Sequence, residues 1–152
     1  MSLEATDAAL LALLQADALM TAEALGARLG LSASQAARRR RRLEQAGLIR
    51  GYAARIDAEA AGLGVQAFVQ VQMAVHDAAA AQGFARLVAL QREVVSAWIL
   101  TGEADYLLRV WCADLKALNA LIQERLLPHP AVARVQSRIV MDEIKPDGPL
   151  PV

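Results

Sequence analysis

Five consecutive arginines, Arg38–Arg42, stand in the stretch QAARRRRRLEQAG of a chain whose formal net charge is zero. Between Arg28 and Arg55 the sequence holds eight arginines and a single acid, Glu44. Guanidinium groups bind phosphate and carboxylate through paired hydrogen bonds, whereas closely spaced like charges repel one another when no anion lies opposite. The stretch therefore predicts a surface that binds a polyanion, with an ordinary solvated helix face as the alternative.

The two parts of the chain carry opposite charge. Residues 1–56 have a net charge of +3, and residues 57–152 have a net charge of −3. At 152 residues and 56% hydrophobic content, the chain is long enough for one ordinary domain or two small ones with packed cores. The uneven charge favours two parts, of which the first attracts the anionic partner.

The other reactive side chains do not form a catalytic or metal-binding set. The chain has one cysteine, Cys112, and two histidines far apart in sequence, His76 and His129. A single cysteine forms no internal disulfide, and no ligand spacing or nucleophile–base pair is visible. We therefore expect no metal, no cofactor and no catalytic residue, with Cys112 in the core and both histidines solvated.

Membrane insertion and export are not predicted either. No apolar run reaches the roughly 18 residues that a membrane span needs. Met1–Thr6 has neither the basic start nor the apolar segment of a signal peptide. A cytoplasmic protein is therefore expected.

Helices are predicted for the N-terminal part of the chain. The first, 6–18, carries its leucines at helical spacing and takes Thr6 as its N-cap. The second begins after the N-cap Thr21 and stops at Gly30, a residue that readily adopts a left-handed conformation. The apolar face of each helix requires packing against its neighbours.

The third predicted helix contains the arginines. It begins at Ser32 or Ser34 and runs to about Ala46. Three short helices with a glycine-containing turn between the second and third form a helix-turn-helix, so the predicted polyanion is double-stranded DNA. The segment 48–56 is predicted to form a strand or wing that completes a domain over residues 1–56.

The C-terminal part alternates between strand and helix patterns. Residues 57–64 are predicted to be a linker, residues 65–145 a second domain, and residues 146–152 a tail. Strands are predicted at 65–75, 94–101, 106–112 and 132–144, and helices at 78–91 and 114–127. The order βαββαβ is the ferredoxin-like pattern, in which two helices cover one face of a four-stranded antiparallel sheet, so the predicted fold class is α+β.

The second face of that sheet lacks a cover. Phe68, Val71, Ile99 and Val110 are predicted to line it, and such an apolar patch is typical of an interaction site. We therefore expect dimerisation through this face, which also places two recognition helices for a pseudo-palindromic site.

Three stretches resemble the leucine-responsive regulatory protein/AsnC (Lrp/AsnC) family of transcriptional regulators. They are the helix-turn-helix stretch beginning MTAEALGARLGLS, then LTGEADYLLRV, and finally VMDEIK near the end. The resemblance extends over roughly residues 3–145 and implies an N-terminal DNA-binding domain. It also implies a ferredoxin-like domain that dimerises, assembles into a tetramer or octamer, and binds small effectors, usually amino acids.

The resemblance favours a sequence-specific regulator associated with the nucleoid. An architectural DNA-binding protein without a ligand response is the first alternative. A ferredoxin-like enzyme is the alternative of a different class, because fold alone does not settle function.

The arginines do not all face the same way. At about 100° per residue, five consecutive positions encircle a helix. Ala36, Arg40 and Leu43 share the packing face, and Arg40 departs from the branched apolar residue usual in similar proteins. The first residues of a recognition helix reach base edges and later basic residues bind phosphate. Predicted base-reading residues are Ser34, Gln35 and Arg38; predicted phosphate contacts are Arg39, Arg41, Arg42 and, more weakly, Arg50.

The loop within LTGEADYLLRV is the predicted effector site, because similar regulators bind effectors beside this turn at an interface between dimers. Gly102 permits a tight turn whose backbone groups hold the head group of an amino acid. A plain hairpin with Asp105 as a turn-former is the alternative. A neutral, apolar amino acid is favoured, with Trp98, Leu100 and Val140 as pocket walls. The predicted effector residues are Trp98, Thr101, Gly102, Glu103, Asp105 and Tyr106.

Overall fold

A computed structural model describes residues 3–152, so the first two residues of the predicted N-terminal domain lie outside the described part. The chain divides into two compact units. The first takes the residues up to Arg55 together with Ile144–Val152, and the second takes Ile56–Glu143. Within the described residues, no helix is both long and apolar enough to cross a membrane.

The first unit is built on three helices, α1 (Ala5–Ala16), α2 (Ala22–Leu29) and α3 (Ala33–Gln45). Their apolar faces meet in a core of Leu10, Leu11, Leu14, Leu25, Ala36 and Leu43. A helix-turn-helix is thus present as predicted.

Local cap residues fix most of the helix ends. The Thr21 hydroxyl accepts a hydrogen bond from the Ala24 amide, and Gly30 ends α2 in the left-handed conformation, φ 66°. Ser32 begins α3 as part of a capping box. The prediction for Thr6 was wrong: α1 begins at the N-cap Glu4, whose carbonyl accepts the first helical bond, so Thr6 lies inside the first turn.

The predicted strand or wing over 48–56 was wrong for the single chain, since no strand is described there. The amides of Leu48 and Ile49 both donate to the Leu43 carbonyl, at 3.0 and 3.2 Å. The beginning of this segment therefore closes the end of α3 and does not pair in a sheet.

The predicted linker and tail each belong to a unit. Residues 57–64 form a hydrogen-bonded turn in which Asp57 accepts from the amides of Ala60 and Ala61. The Gly64 amide donates to the Ala113 carbonyl at 3.3 Å, which joins the turn to the second unit. In the tail, Leu150 exchanges two backbone hydrogen bonds with the Gln15 side-chain amide.

The second unit has the predicted βαββαβ order. Its strands are β1 (Val65–Met73), β2 (Val94–Ile99), β3 (Tyr106–Cys112) and β4 (Val132–Ile139). Its helices are α4 (Ala78–Ala89) and α5 (Leu115–Ala120), the latter continued by a π-helical segment, Leu121–Leu126. The strands pair antiparallel in the order β2-β3-β1-β4. This confirms the α+β, ferredoxin-like fold class.

The helices cover one face of the sheet, and the predicted residues of the open face were mostly wrong. Val71 and Val110 are fully buried in the core with Phe84. Phe68 lies an odd number of residues from Val71 and therefore points to the opposite face. Ile99 pairs with Tyr106, which pairs with Val71, so Ile99 also belongs to the helix side. Only Phe68 among the four predicted residues lies on the open face.

Candidate DNA-binding and effector sites

The five arginines of α3 separate into those that form an ion pair and those that do not. Arg38 and Arg41 are exposed, and neither forms an ion pair within residues 3–152. Arg39, Arg40 and Arg42 are each bound by an acid. The anion-binding capacity of the run is therefore concentrated in two side chains.

Asp7 of α1 holds two of the arginines. Its side chain is only 6% exposed, and its Oδ1 accepts from Arg39 Nη1 at 2.8 Å while its Oδ2 accepts from Arg42 Nη2. Arg39 Nη1 also donates to Glu4 Oε2 at 2.8 Å. The hydrogen bonds to Glu4 and Asp7 raise the pKa of Arg39 above its ordinary value. These four side chains, which we call the α1–α3 ion cluster, join the recognition helix to α1.

Arg40, the departure from the family pattern, has its own partners. Its Nε donates to Glu44 Oε1 at 3.1 Å and to the Tyr52 hydroxyl at 2.9 Å, and its guanidinium lies 4.7 Å from the centre of the Tyr52 ring. The Tyr52 hydroxyl donates in turn to Glu44. Hydrogen bonds from Tyr52 and Arg40 lower the pKa of Glu44. An arginine is accommodated on the packing face because a carboxylate and an aromatic ring receive it.

The first turn of α3 is exposed but partly committed to capping. Gln35 Oε1 accepts from the Ser32 amide at 2.9 Å, which completes the capping box. The Ser34 hydroxyl lies 3.1 Å from that of Ser32. Arg38, one turn later, is free of such contacts among the described residues, and Arg50 is likewise exposed without an ion pair there.

The loop between β2 and β3 is held by Asp105. The Asp105 amide donates to the Val71 carbonyl at 3.0 Å, and its carbonyl accepts from the Leu100 amide at 2.8 Å. Its Oδ2 accepts from the Met73 amide at 2.7 Å. Gly102 has φ +123°, a conformation that favours glycine. Asp105 thus shapes the loop through its contacts to β1.

A cavity of about 320 Å³ lies between this loop and the open face of the sheet. Thr101 and Glu103 line it among the predicted effector residues. The remaining lining residues are Gln70, Gln72, Leu100, Ala104, Arg134, Gln136 and Arg138. Its chemistry suits a zwitterion, because guanidinium groups bind a carboxylate and Glu103 can accept from an ammonium group.

Two of the predicted effector residues lie elsewhere. Tyr106 lines a second, apolar cavity of about 550 Å³ on the helix side of the sheet, together with Phe84 and Val88. Tyr106 is on that side because it pairs with Val71 of the core face. Trp98 borders that cavity from the edge strand β2, but its pairing with Leu107 places its side chain on the open face. Neither Trp98 nor Tyr106 is among the residues that line the cavity beside the loop, and their part in effector binding stays a prediction.

Sequence reasoning missed the polar row on β4. Arg134, Gln136 and Arg138 alternate along the strand. In the sheet register, Arg134 and Gln136 oppose glutamines of β1, and Arg138 opposes Phe68. The sequence did contain a signal for this row, because polar residues recur at every second position of the strand. Only a strand was predicted at 132–144, and its polar residues were not linked to the effector.

The other reactive side chains form no cluster of three or more potential metal ligands in the part of the chain that the structure describes. Cys112 is buried, and burial raises the pKa of its thiol. His129 packs edge-on against Phe84, with 5.7 Å between ring centres.

Known proteins resemble both units. The family model for the AsnC-type helix-turn-helix domain matches residues 3–44, and the model for the Lrp/AsnC ligand binding domain matches residues 66–150. The chain is 34% identical over 150 residues to the DNA-binding transcriptional activator DecR of Escherichia coli K12, covering 99% of each. It is also 34% identical over 143 residues to the leucine-responsive regulatory protein of Rhizobium meliloti, covering 94% of this chain and 92% of that protein.

Solved structures of similar proteins superpose on nearly the whole chain. A transcriptional regulator from Neisseria meningitidis, solved as a complex with L-Met, superposes with a TM-score of 0.94 at 39% identity, covering 99% of this chain and 97% of that one. An AsnC family regulator from Agrobacterium tumefaciens gives a TM-score of 0.91 at 30% identity, covering 98% and 97%. The resemblance drawn from the three sequence stretches is thereby confirmed, and the chain belongs to the Lrp/AsnC family of DNA-binding transcriptional regulators.

Proposed function

We propose that this regulator binds double-stranded DNA through the exposed face of α3 and that its second unit binds an amino acid that modulates DNA binding. The observation that carries the DNA part is the pair Arg38 and Arg41, which are exposed and form no ion pair among the described residues. The two side chains are three positions apart and are therefore neighbours on the helix surface. No enzymatic step is part of the proposal.

Within α3, we assign different roles to different positions. Arg38, with Ser34 and the free amide nitrogen of Gln35, reads base edges, because these are the exposed residues of the first two turns. Arg41 and Arg50 bind phosphate. Arg39 and Arg42, predicted as phosphate contacts, are held by acids of α1 in the free protein.

The effector site is the cavity beside residues 101–104. Arg134 and Arg138 bind the carboxylate of an amino acid, and Glu103 binds its ammonium group. The complex of the Neisseria regulator with L-Met supports an amino acid with an apolar side chain. A regulator of this kind acts on the nucleoid in the cytoplasm.

Assembly is proposed to begin with a homodimer formed through the open face of the sheet, followed by tetramers or octamers. Phe68, Leu107 and Trp111 provide half-buried apolar surface on that face, beside the polar row of β4. A second copy related by a two-fold axis buries the apolar part of this face against itself. Light scattering at micromolar concentration should give at least a dimer mass, and a monomer would contradict the proposal.

Genome-wide DNA binding with and without an amino-acid pool tests the function as a whole. Discrete sites whose occupancy changes with the pool are expected. Continuous coverage that ignores amino acids would favour the architectural alternative, and absence of DNA binding would overturn the assignment of α3.

A further inference from the structure

Asp7 of the α1–α3 ion cluster binds two arginines of α3, Arg39 and Arg42. Arg42 follows Arg38 by four positions, so the two side chains leave the same face of α3. Yet the guanidinium of Arg42 is bound to Asp7, on α1. We propose that Asp7 is a positioning residue that withholds Arg42 from phosphate and so limits sequence-independent binding. This inference rests on the proposed role of α3 in DNA binding.

The side chains of the α1–α3 ion cluster differ in exposure, and this difference separates the role of Arg42 from that of Arg39. The side chain of Asp7 is 6% exposed and that of Arg39 is 27% exposed, whereas that of Arg42 is 54% exposed. Arg39 is bound by both Asp7 and Glu4, at 2.8 Å each. Arg42 has Asp7 as its close partner, since Glu4 Oε2 lies 4.0 Å away. Arg42 is therefore the arginine that removal of the Asp7 charge releases.

A phosphate competes poorly for Arg42 while Asp7 is ionised. Moving the guanidinium to DNA leaves a buried carboxylate with one fewer cation, and a buried charge that loses its partner is strongly destabilising. Phosphate contacts made by arginine add affinity on every sequence, because the backbone carries no sequence information. Holding Arg42 against α1 thus favours discrimination by Arg38 over general attraction to DNA.

The substitution Asp7→Asn removes the charge and keeps the shape of the side chain. We expect the plot of log binding constant against log salt to become steeper by about 0.9 for each phosphate gained, hence by about 2 for a dimer that gains one per subunit. Affinity for mixed-sequence DNA should rise, and the ratio of specific to non-specific binding should fall.

The measurement is fluorescence anisotropy between about 50 and 200 mM KCl, the range over which phosphate contacts dominate the salt response. The probes are a short mixed-sequence duplex and the fragment most enriched in the genome-wide experiment. Glu59→Gln is the charge-matched control, because Glu59 is exposed and forms no ion pair within the described residues. Circular dichroism establishes that each variant is folded.

A double-mutant cycle with Arg42→Ala isolates the proposed contact. Arg42→Ala should leave the slope nearly unchanged in the wild-type background and should cancel the added slope in the Asp7→Asn background. An unchanged slope in folded Asp7→Asn, or an equal loss on Arg42→Ala in both backgrounds, would overturn the inference. If Asp7→Asn does not fold, the test uses Arg42→Ala in the wild-type background alone. A salt slope reduced by that substitution would mean that Arg42 already binds phosphate and would overturn the inference, whereas an unchanged slope supports it. Wild-type protein that binds neither duplex would instead contradict the proposed function.

Discussion

At the scale of single residues, the acidic partners of the arginines in α3 determine which of these side chains can bind an external anion. Arg38 and Arg41 form no ion pair among the described residues and are the arginines proposed to bind DNA, whereas Arg39, Arg40 and Arg42 are paired with acids within the first unit. Glu44 was visible as an acid four positions after Arg40, but Asp7 lies more than thirty positions from the arginines that it binds. Sequence spacing along one helix does not reveal such a contact.

Truncation of Arg38 and of Arg41 to alanine should change DNA binding in different ways. Arg41→Ala should flatten the salt slope by about 0.9 per subunit, because one phosphate contact is lost on every sequence. Arg38→Ala should reduce discrimination at one base pair by about 1–3 kcal/mol. Anisotropy titrations on specific and mixed-sequence duplexes measure both effects. An equal loss on all sequences for Arg38→Ala would move that residue to the phosphate-binding group.

Glu44 should make the stability of the first unit depend on pH. Its pKa is lowered in the folded state by hydrogen bonds from Tyr52 and Arg40. The stabilisation is therefore fully present above the ordinary glutamate pKa and is lost as the pH falls through the lowered folded value. Thermal unfolding followed from neutral to acidic pH should show a smaller acid-induced loss for Glu44→Gln than for the wild type. An identical pH profile in the two proteins would remove Glu44 from this role.

At the scale of elements, signals contained in a few neighbouring residues predicted the structure well. The caps at Thr21 and Ser32 and the stop at Gly30 depend on side chains within one turn of the helix end. The start of α1 was misplaced because the helix begins at Glu4 without a side-chain cap, so the usual N-cap residue types did not mark it. The 48–56 segment was misread because its first amides bond to the end of α3.

The turn between α2 and α3 depends on close backbone approach at Gly26. A Cβ atom there would lie 2.6 Å from the Leu31 carbonyl oxygen, a distance that requires the backbone to move. Gly26→Ala should therefore destabilise the first unit by about 1–3 kcal/mol, as overpacking does. Ala27→Ser, at an exposed neighbouring position, is the control and should change stability by less than about 0.5 kcal/mol. Urea unfolding measures both, and equal midpoints would contradict the close-contact argument.

At the scale of the whole molecule, the order of elements was predictable and the faces of the sheet were not. The βαββαβ order follows from alternation and helix periodicity along the chain. Choosing Phe68 and Val71 for one face violated the period of two, which the sheet enforces because Val71 enters the core. The cavity proposed as the effector site combines β1, β4 and the 101–104 loop, which are distant in sequence.

The two functions of the molecule are expected to be thermodynamically coupled. An amino acid in the 101–104 cavity and DNA on α3 occupy different compact units. A ligand changes DNA affinity only through a difference in its affinity for two states of the protein. A coupling free energy of about 1–3 kcal/mol would change DNA affinity by about 5–150-fold, and DNA must change the amino-acid affinity by the same factor.

Calorimetry with the twenty amino acids, followed by DNA titration with and without each binder, measures this coupling. Gly102→Val should abolish the response while leaving ligand-free DNA binding intact. We expect this loss because valine strains the backbone at φ +123°. Steric overlap is not the cause, since a Cβ atom at residue 102 has no heavy atom of the described residues within 4 Å. Arg138→Ala removes a lining guanidinium without changing the turn, so a matching loss of amino-acid binding would assign the effect to the cavity itself. No detectable heat at millimolar concentration, or unchanged binding in both variants, would exclude this cavity as the effector site.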